Sequence, residues 1–164
     1  MVQKVRVGLI GVGKIAPAYI KGCSRFPILE IAACADLDYS RAQAFAKEHS
    51  LQAYTVEELL AASDIEIVIN LTIPQAHAEV NIAIINAGKN AYAEKPLAVF
   101  REDGKRTVEA ARSKGVLVGC APDTFLGGGG QTARKLIDEG VIGEPVAATA
   151  FMAGHGPEGW HPNP

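Results

Sequence analysis

What this chain of 164 residues has little of narrows its chemistry before any motif is considered. It carries three cysteines, Cys23, Cys34 and Cys120, and none stands at metal-site or redox-pair spacing. Cys34 and Cys120 fall in apolar stretches where cysteine packs as a small apolar residue, so all three read as reduced core or near-core thiols. Histidine is as sparse: His155 and His161 lie in a Gly/Pro-rich tail with no carboxylate or thiolate cluster beside them, which makes them loop residues and leaves no metal site. Neither sign of charge dominates. A formal net charge of -2 with interspersed signs gives no basic stripe and argues against nucleic acid as a partner. No apolar run approaches the roughly 18 residues of a membrane span, and Met1-Val2-Gln3-Lys4 leads into an apolar stretch without a signal-peptide pattern. The expected location is therefore the cytoplasm, with no membrane partner.

The length suits one domain with a two-sided core that buries roughly 70% of its unfolded surface. Along it, strand-like and helix-like segments alternate. Val5 to Ile10 and Leu29 to Ala35 read as strands. Asp38 to Glu48 follows with Ala42, Phe45 and Ala46 at helical spacing and Asp38 as N-cap. Thr55-Val56-Glu57-Glu58 is a capping box opening a short helix through Leu60. Ile65 to Leu71 is apolar on both faces apart from Glu66 and Asn70, as a strand covered by helices should be. The spacing then predicts a helix from Gln75 to Ala87, with Ala76, Val80, Ala83, Ile84 and Ala87 on its apolar stripe and Gly88 at its end. A strand from Asn90 to Ala93, a helix from Asp103 to Lys114 stopped by Gly115, and a strand from Val116 to Cys120 complete the alternation. Strands separated by helices of this length pair in parallel through right-handed crossovers, so the fold class is α/β with a doubly wound parallel sheet. Composition breaks at Pro122 to Gly130, a hinge or loop before a helix from Gln131 to Glu139. The expected division is residues 1–121 for the first domain and 122–164 for a hinge, a helix and a first strand, Val146 to Met152, of a second α/β domain. An apolar strand with no neighbour favours self-association, so a homo-oligomer through 146–152 is expected.

The most specific local pattern is Gly11-Val12-Gly13-Lys14-Ile15-Ala16, directly after the first strand and opening a helix. A pyrophosphate must come close to the main chain at a helix start, where unpaired amides point outward and the macrodipole is positive. Side chains at Gly11 or Gly13 would block that approach, and Ala16 is small enough for the helix to pack on the strand. Asp36 closes the second strand about 20 residues further on, where the acid that binds an adenosine ribose is expected. This is a dinucleotide-binding fingerprint and implies a nicotinamide cofactor. Asp36 accepts from both ribose hydroxyls of NAD and repels a 2'-phosphate, which favours NAD, whereas Arg41 in the next helix could offset that repulsion and leaves NADP open.

Two further segments lie at strand ends, the edge of an open α/β sheet where ligands collect. Leu71-Thr72-Ile73-Pro74 offers a Thr72 hydroxyl to donate to phosphate or ribose, a proline that needs no amide partner at the first turn, and His77 one turn on. Glu94-Lys95-Pro96 closes the next strand, with Lys95 placed to hydrogen-bond a substrate hydroxyl and favour its developing alkoxide while Glu94 holds the ammonium.

Glycine fingerprint, Asp36, Thr72-Ile73-Pro74 with His77, Glu94-Lys95-Pro96, and Leu136 to Pro145 together resemble the glucose-fructose oxidoreductase / inositol dehydrogenase (Gfo/Idh/MocA) family, in that family's order along essentially the whole chain. The resemblance implies an N-terminal Rossmann domain for NAD or NADP, a C-terminal α/β domain over the nicotinamide, and oxidation of a hydroxyl on a sugar, inositol or related small molecule. Gly11, Gly13, Asp36, Thr72 and Pro74 would bind cofactor and Lys95 would be the active-site lysine. Lys14, Ile15, Arg41, Ile73, His77 and Glu94 line the same turns and complete the expected cofactor set. The family's acid/base-bearing helix lies further along than Pro164, so this length is expected to be a cofactor half with weak activity or none. After the strand Val116 to Cys120 the chain reads Ala121-Pro122-Asp123-Thr124 where many members carry asparagine or arginine. A non-enzymatic nucleotide-binding or redox-sensing module and a methyltransferase-type domain are the alternatives, and the latter gives no reason for Glu94-Lys95-Pro96.

Overall fold

A computed structural model describes residues 4–156 and Gly159, and the chain separates into two compact units, Met1–Pro122 and Asp123–Pro164. In the first, six parallel strands form one sheet in the order β3-β2-β1-β4-β5-β6. They are β1 Val5–Ile10, β2 Leu29–Ala35, β3 Gln52–Tyr54, β4 Ile67–Asn70, β5 Asn90–Ala93 and β6 Val118–Cys120. The helices between them are α1 Ala16–Cys23, α2 Tyr39–His49, α3 Val56–Ala61, α4 His77–Asn86 and α5 Arg101–Lys114. This is the Rossmann arrangement, in which the strand order reverses between β1 and β4 and opens a crevice at their carboxyl ends.

Alternation along the strands divides the core in two. Val7 and Leu9 of β1, Cys34 of β2 and Ile69 of β4 pack with Ala16, Phe45 and Ala46 of α1 and α2 on one face. Ile10, Ala33, Ala35 and Val68 point to the other face and meet Leu59, Ile84, Ile85 and Ala111 of α3, α4 and α5. A strand buried on both faces needs apolar residues at every position, which is why these strands read as continuous apolar runs.

Local chemistry sets the helix ends. Asp38 caps α2 by accepting from the Ser40 amide at 3.0 Å, and its carboxyl is held below the ordinary carboxylate range chiefly by the Ser40 hydroxyl. Thr55 and Glu58 form the reciprocal capping box at α3. Gly115 ends α5 at φ +69.

The structure adds one strand and changes three sequence expectations. The short strand β3 falls on Gln52–Tyr54, too brief for periodicity to register; its pairing with Ala33, Cys34 and Ala35 of β2 makes it a strand. Of the expected α4 stripe, Ile84 is buried and Val80 packs against the core, but the buried side is completed by His77, Ala78, Asn81 and Ile85 while Ala87 is exposed, and a separate turn, Pro74–Ala76, precedes the helix. Residues 146–152 form no strand: Val146, Phe151 and Met152 are 95%, 92% and 105% exposed, because strand amides and carbonyls need a partner strand and the described residues of the second unit contain none. In the second unit, Thr124–Leu126 makes a single turn and α6 spans Gly128–Asp138, so three glycines expected in the loop, Gly128, Gly129 and Gly130, enter the helix. His155 is exposed and His161 lies outside the described residues. No helix among those residues is long and apolar enough to cross a membrane, and no group of three potential ligands could hold a metal ion.

Candidate functional site

The two fingerprint glycines answer different needs. At the end of β1, the Gly11 amide donates to the Ala35 carbonyl of β2 at 2.8 Å, and the chain turns at φ +94. A Cβ there would lie 2.7 Å from the carbonyl oxygen of Leu71, at the end of β4. Gly11 is thus required by the two strand ends that meet at the switch point. Around Gly13 a Cβ would meet nothing within 4 Å, and its φ lies outside the left-handed region, so neither packing nor conformation demands glycine. Helix α1 begins just after, with no side chain capping it at Ile15 and with Pro17 in its first turn. Uncapped amides at a helix start suit an anion. Ala16 is fully buried beneath them, while Lys14 and Ile15 are exposed.

Asp36 stands beside this turn. Its side chain is 11% exposed, and its Oδ2 accepts from the Val12 main-chain amide at 2.9 Å. Oδ1 accepts from the Asp38 amide at 3.1 Å and lies 3.8 Å from the Arg41 guanidinium, which is 55% exposed in the first turn of α2. The end of β2 is therefore tied to the glycine turn. Cys34, buried just below, has its thiol pushed up to about 11 by burial and, less, by the Asp36 charge.

Across the crevice, Asn70 ends β4 fully buried and organises the next turn. Its Oδ1 accepts from the Thr72 hydroxyl at 2.6 Å and from the Thr72 amide at 3.2 Å, while its Nδ2 donates to the His77 carbonyl at 3.0 Å and to Asn81 Oδ1 at 2.9 Å. The Thr72 hydroxyl was expected as a donor to phosphate or ribose; with its proton on Asn70 it faces solvent as an acceptor. Ile73, 65% exposed, and Pro74 form the rim. His77 lies inside, 1% exposed, with Nδ1 against the Pro96 carbonyl and Nε2 3.0 Å from the Thr72 carbonyl.

The β5 end brings Glu94 and Lys95 to the same edge. The Glu94 carboxylate does not hold the Lys95 ammonium: Oε1 accepts from the Tyr19 hydroxyl of α1 at 2.8 Å, and Oε2 accepts from the Lys95 main-chain amide at 2.9 Å. Lys95 itself is exposed, and its peptide bond to Pro96 is cis. Burial pushes the nearby Cys120 thiol up.

Tyr19 and Asn81 escape a reading by sequence because their partners, Glu94 and Asn70, are distant along the chain. Asn70 carried a signal, a lone amide in an otherwise apolar strand. Leu37, 99% exposed directly after Asp36, carried none, since only the structure shows that this apolar side chain stands in water beside the carboxylate.

These turns fit a dinucleotide: an uncapped helix start, an unobstructed glycine, and a carboxylate at the end of the adjacent strand. Curated proteins and solved structures resemble this chain over most of its length. A 1,5-anhydro-D-fructose reductase of Ensifer adhaerens is 35% identical over 160 residues, covering 94% of this chain and 48% of its own. An inositol 2-dehydrogenase 3 of Saccharopolyspora erythraea is 35% identical over 149 residues, covering 88% and 44%. Among solved structures, KijD10, a 3-ketoreductase from Actinomadura kijaniata in complex with TDP-benzene and NADP, superposes with a TM-score of 0.79 at 29% identity over 87% of this chain and 46% of that one. The chain thus spans about half the length of the curated relatives it matches. The model of the Gfo/Idh/MocA family, described as an oxidoreductase family with an NAD-binding Rossmann fold, matches residues 5–121, well over half the chain, and with the strand order and crevice above it places this protein in that family.

Proposed function

We propose that this chain is the cofactor-binding part of an NAD-dependent dehydrogenase acting on a hydroxyl of a sugar, an inositol or a related small molecule. The observation that carries the reading is the Asp36 carboxylate, 2.9 Å from the Val12 amide, which puts a ribose acceptor and a diphosphate-binding turn side by side. The first amides of α1, reached over Gly13, would hold the diphosphate. Asp36 would accept from the adenosine ribose, with Leu37 and Ile73 offering apolar surface at the rim, and Thr72 would accept from a sugar hydroxyl. When bound, the nicotinamide supplies the hydride acceptor for the substrate's carbinol carbon. Lys95, exposed at the β5 end, donates from its ammonium to the substrate oxygen and stabilises the negative charge that grows there.

NAD is favoured over NADP by electrostatics. A 2'-phosphate carries about -1.5 to -2 charges. At roughly 5 Å and an effective dielectric near 20, each charge pair with Asp36 costs about 3 kcal/mol. Arg41 already leans on Asp36 and is half exposed, so it offsets this only in part. Self-association would draw on exposed Val146, Phe151 and Met152, and sedimentation across a concentration series reads it. Fluorescence titration with NADH and NADPH tests the cofactor reading: saturable binding with NADH the tighter ligand is expected. Binding of neither at millimolar concentration overturns the site, and tighter NADPH overturns the cofactor preference.

A further inference from the structure

The sheet holds the chain only as far as Glu94, whose amide donates to the Asn70 carbonyl of β4 at 2.9 Å, while Ala93 accepts from Ala121 at 3.0 Å. Lys95 comes next, beyond the ladder. A residue there would be expected to move freely, yet its main chain is gripped on both sides. Before it, the Lys95 amide is received by Glu94 Oε2 at 2.9 Å, and the other oxygen of that carboxylate is fixed by the Tyr19 hydroxyl at 2.8 Å. After it, the Pro96 carbonyl meets His77 Nδ1, and the opposite ring nitrogen reaches the Thr72 carbonyl at 3.0 Å.

We propose that Tyr19 and His77 are positioning residues for Lys95, two brackets that tie the main chain carrying the lysine to the turns on either side of the crevice. The role of Lys95 rests on the function proposed above; the brackets themselves are a property of this chain. Tyr19 stands on α1, directly behind the glycine turn, so the Glu94 bracket links Lys95 to that turn. His77 opens α4 and sets its ring between the Pro96 and Thr72 carbonyls, where a neutral imidazole donates its one N–H to one carbonyl and packs against the other. Burying a polar ring to 1% exposure is unfavourable unless its nitrogens are bonded, and an apolar side chain at either position would pack without that requirement. Glu94 is bound as an acceptor of an amide and a hydroxyl, so it orients the peptide and leaves the ammonium to the substrate.

Amide hydrogen exchange, read residue by residue on the full chain, tests this without turnover. Tyr19→Phe deletes only the hydroxyl, and His77→Leu deletes both ring contacts. Each is expected to speed exchange at Lys95, whose amide is bonded to Glu94, about tenfold while the core amides of Leu9 and Ile69 stay within twofold. His77→Asn, which returns a donor nitrogen near the Nδ1 position, is expected to restore at least half of the lost protection. Unchanged exchange at Lys95, acceleration shared equally with Leu9 and Ile69, or failure of His77→Asn to differ from His77→Leu overturns the proposal. Absence of NADH binding by the unmutated chain would instead sink the cofactor reading and leave the exchange comparison standing.

Discussion

Replacing the two fingerprint glycines one at a time separates a glycine kept for folding from one kept for a ligand. Gly11→Ala puts a Cβ 2.7 Å from the Leu71 carbonyl oxygen at a φ of +94. The backbone conformation costs about 1–3 kcal/mol for a non-glycine residue. Crowding against main chain, which cannot swing aside, adds about 1–3 kcal/mol. A loss of about 2–6 kcal/mol is therefore expected, which for a chain of this size lowers Tm by roughly 4–24 °C. Gly13→Ala meets nothing within 4 Å and has no conformational conflict. Its stability should stay within about 0.5 kcal/mol, or rise by roughly 0.4–1 kcal/mol because the unfolded chain loses freedom. Its methyl group, however, occupies the approach to the first amides of α1. Loss of one charge-assisted bond of about 1.5–3 kcal/mol weakens NADH binding by about 10- to 150-fold. Thermal unfolding and fluorescence titration on the same preparations make the comparison. The reasoning is refuted if Gly13→Ala binds NADH as tightly as the unmutated chain, or if it destabilises the fold as much as Gly11→Ala.

Lys89→Met should lower stability by about 2–4 kcal/mol in urea unfolding, because the buried Nζ donates to the Ala62 and Ile65 carbonyls and methionine leaves both unmet. Asn70→Leu removes donors to His77 and Asn81 and the acceptor of Thr72, and a loss of roughly 3–5 kcal/mol is expected by the same measurement. For Cys34 the sign of the pH dependence follows from a thiol raised from 9.0 to about 11 in the folded state. The unfolded chain gives up that proton first, so the thiol's contribution to stability is intact below pH 9.0 and falls as pH climbs from there to about 11. Urea midpoints at pH 8 and pH 10.5 should therefore differ less in Cys34→Ala than in the unmutated chain; an equal difference in both would contradict this.

Much of the molecule is legible from neighbours in sequence. The alternation of apolar runs with helical spacings, the Asp38 cap, the Thr55–Glu58 box and the position of Asp36 after β2 all depend on residues a few positions apart. Their chemistry is local, so they can be read without a fold. The strand order 3-2-1-4-5-6 and the existence of β3 are not of that kind, because they depend on which strands pair across long stretches of chain.

At the site the same division holds. Sequence alone determined that a glycine turn, an acid, a threonine turn and a lysine each end a strand, since spacing and the carboxyl-edge rule need no coordinates. Only the tertiary structure decided what each does with its hydrogen bonds. Gly11 answers to Leu71, the Thr72 proton goes to Asn70, Glu94 serves Tyr19 and a peptide amide, and His77 turns inward to two carbonyls. A buried polar group takes the partner that packing brings within about 3 Å, and for Tyr19 and Glu94 that partner is 75 residues away along the chain.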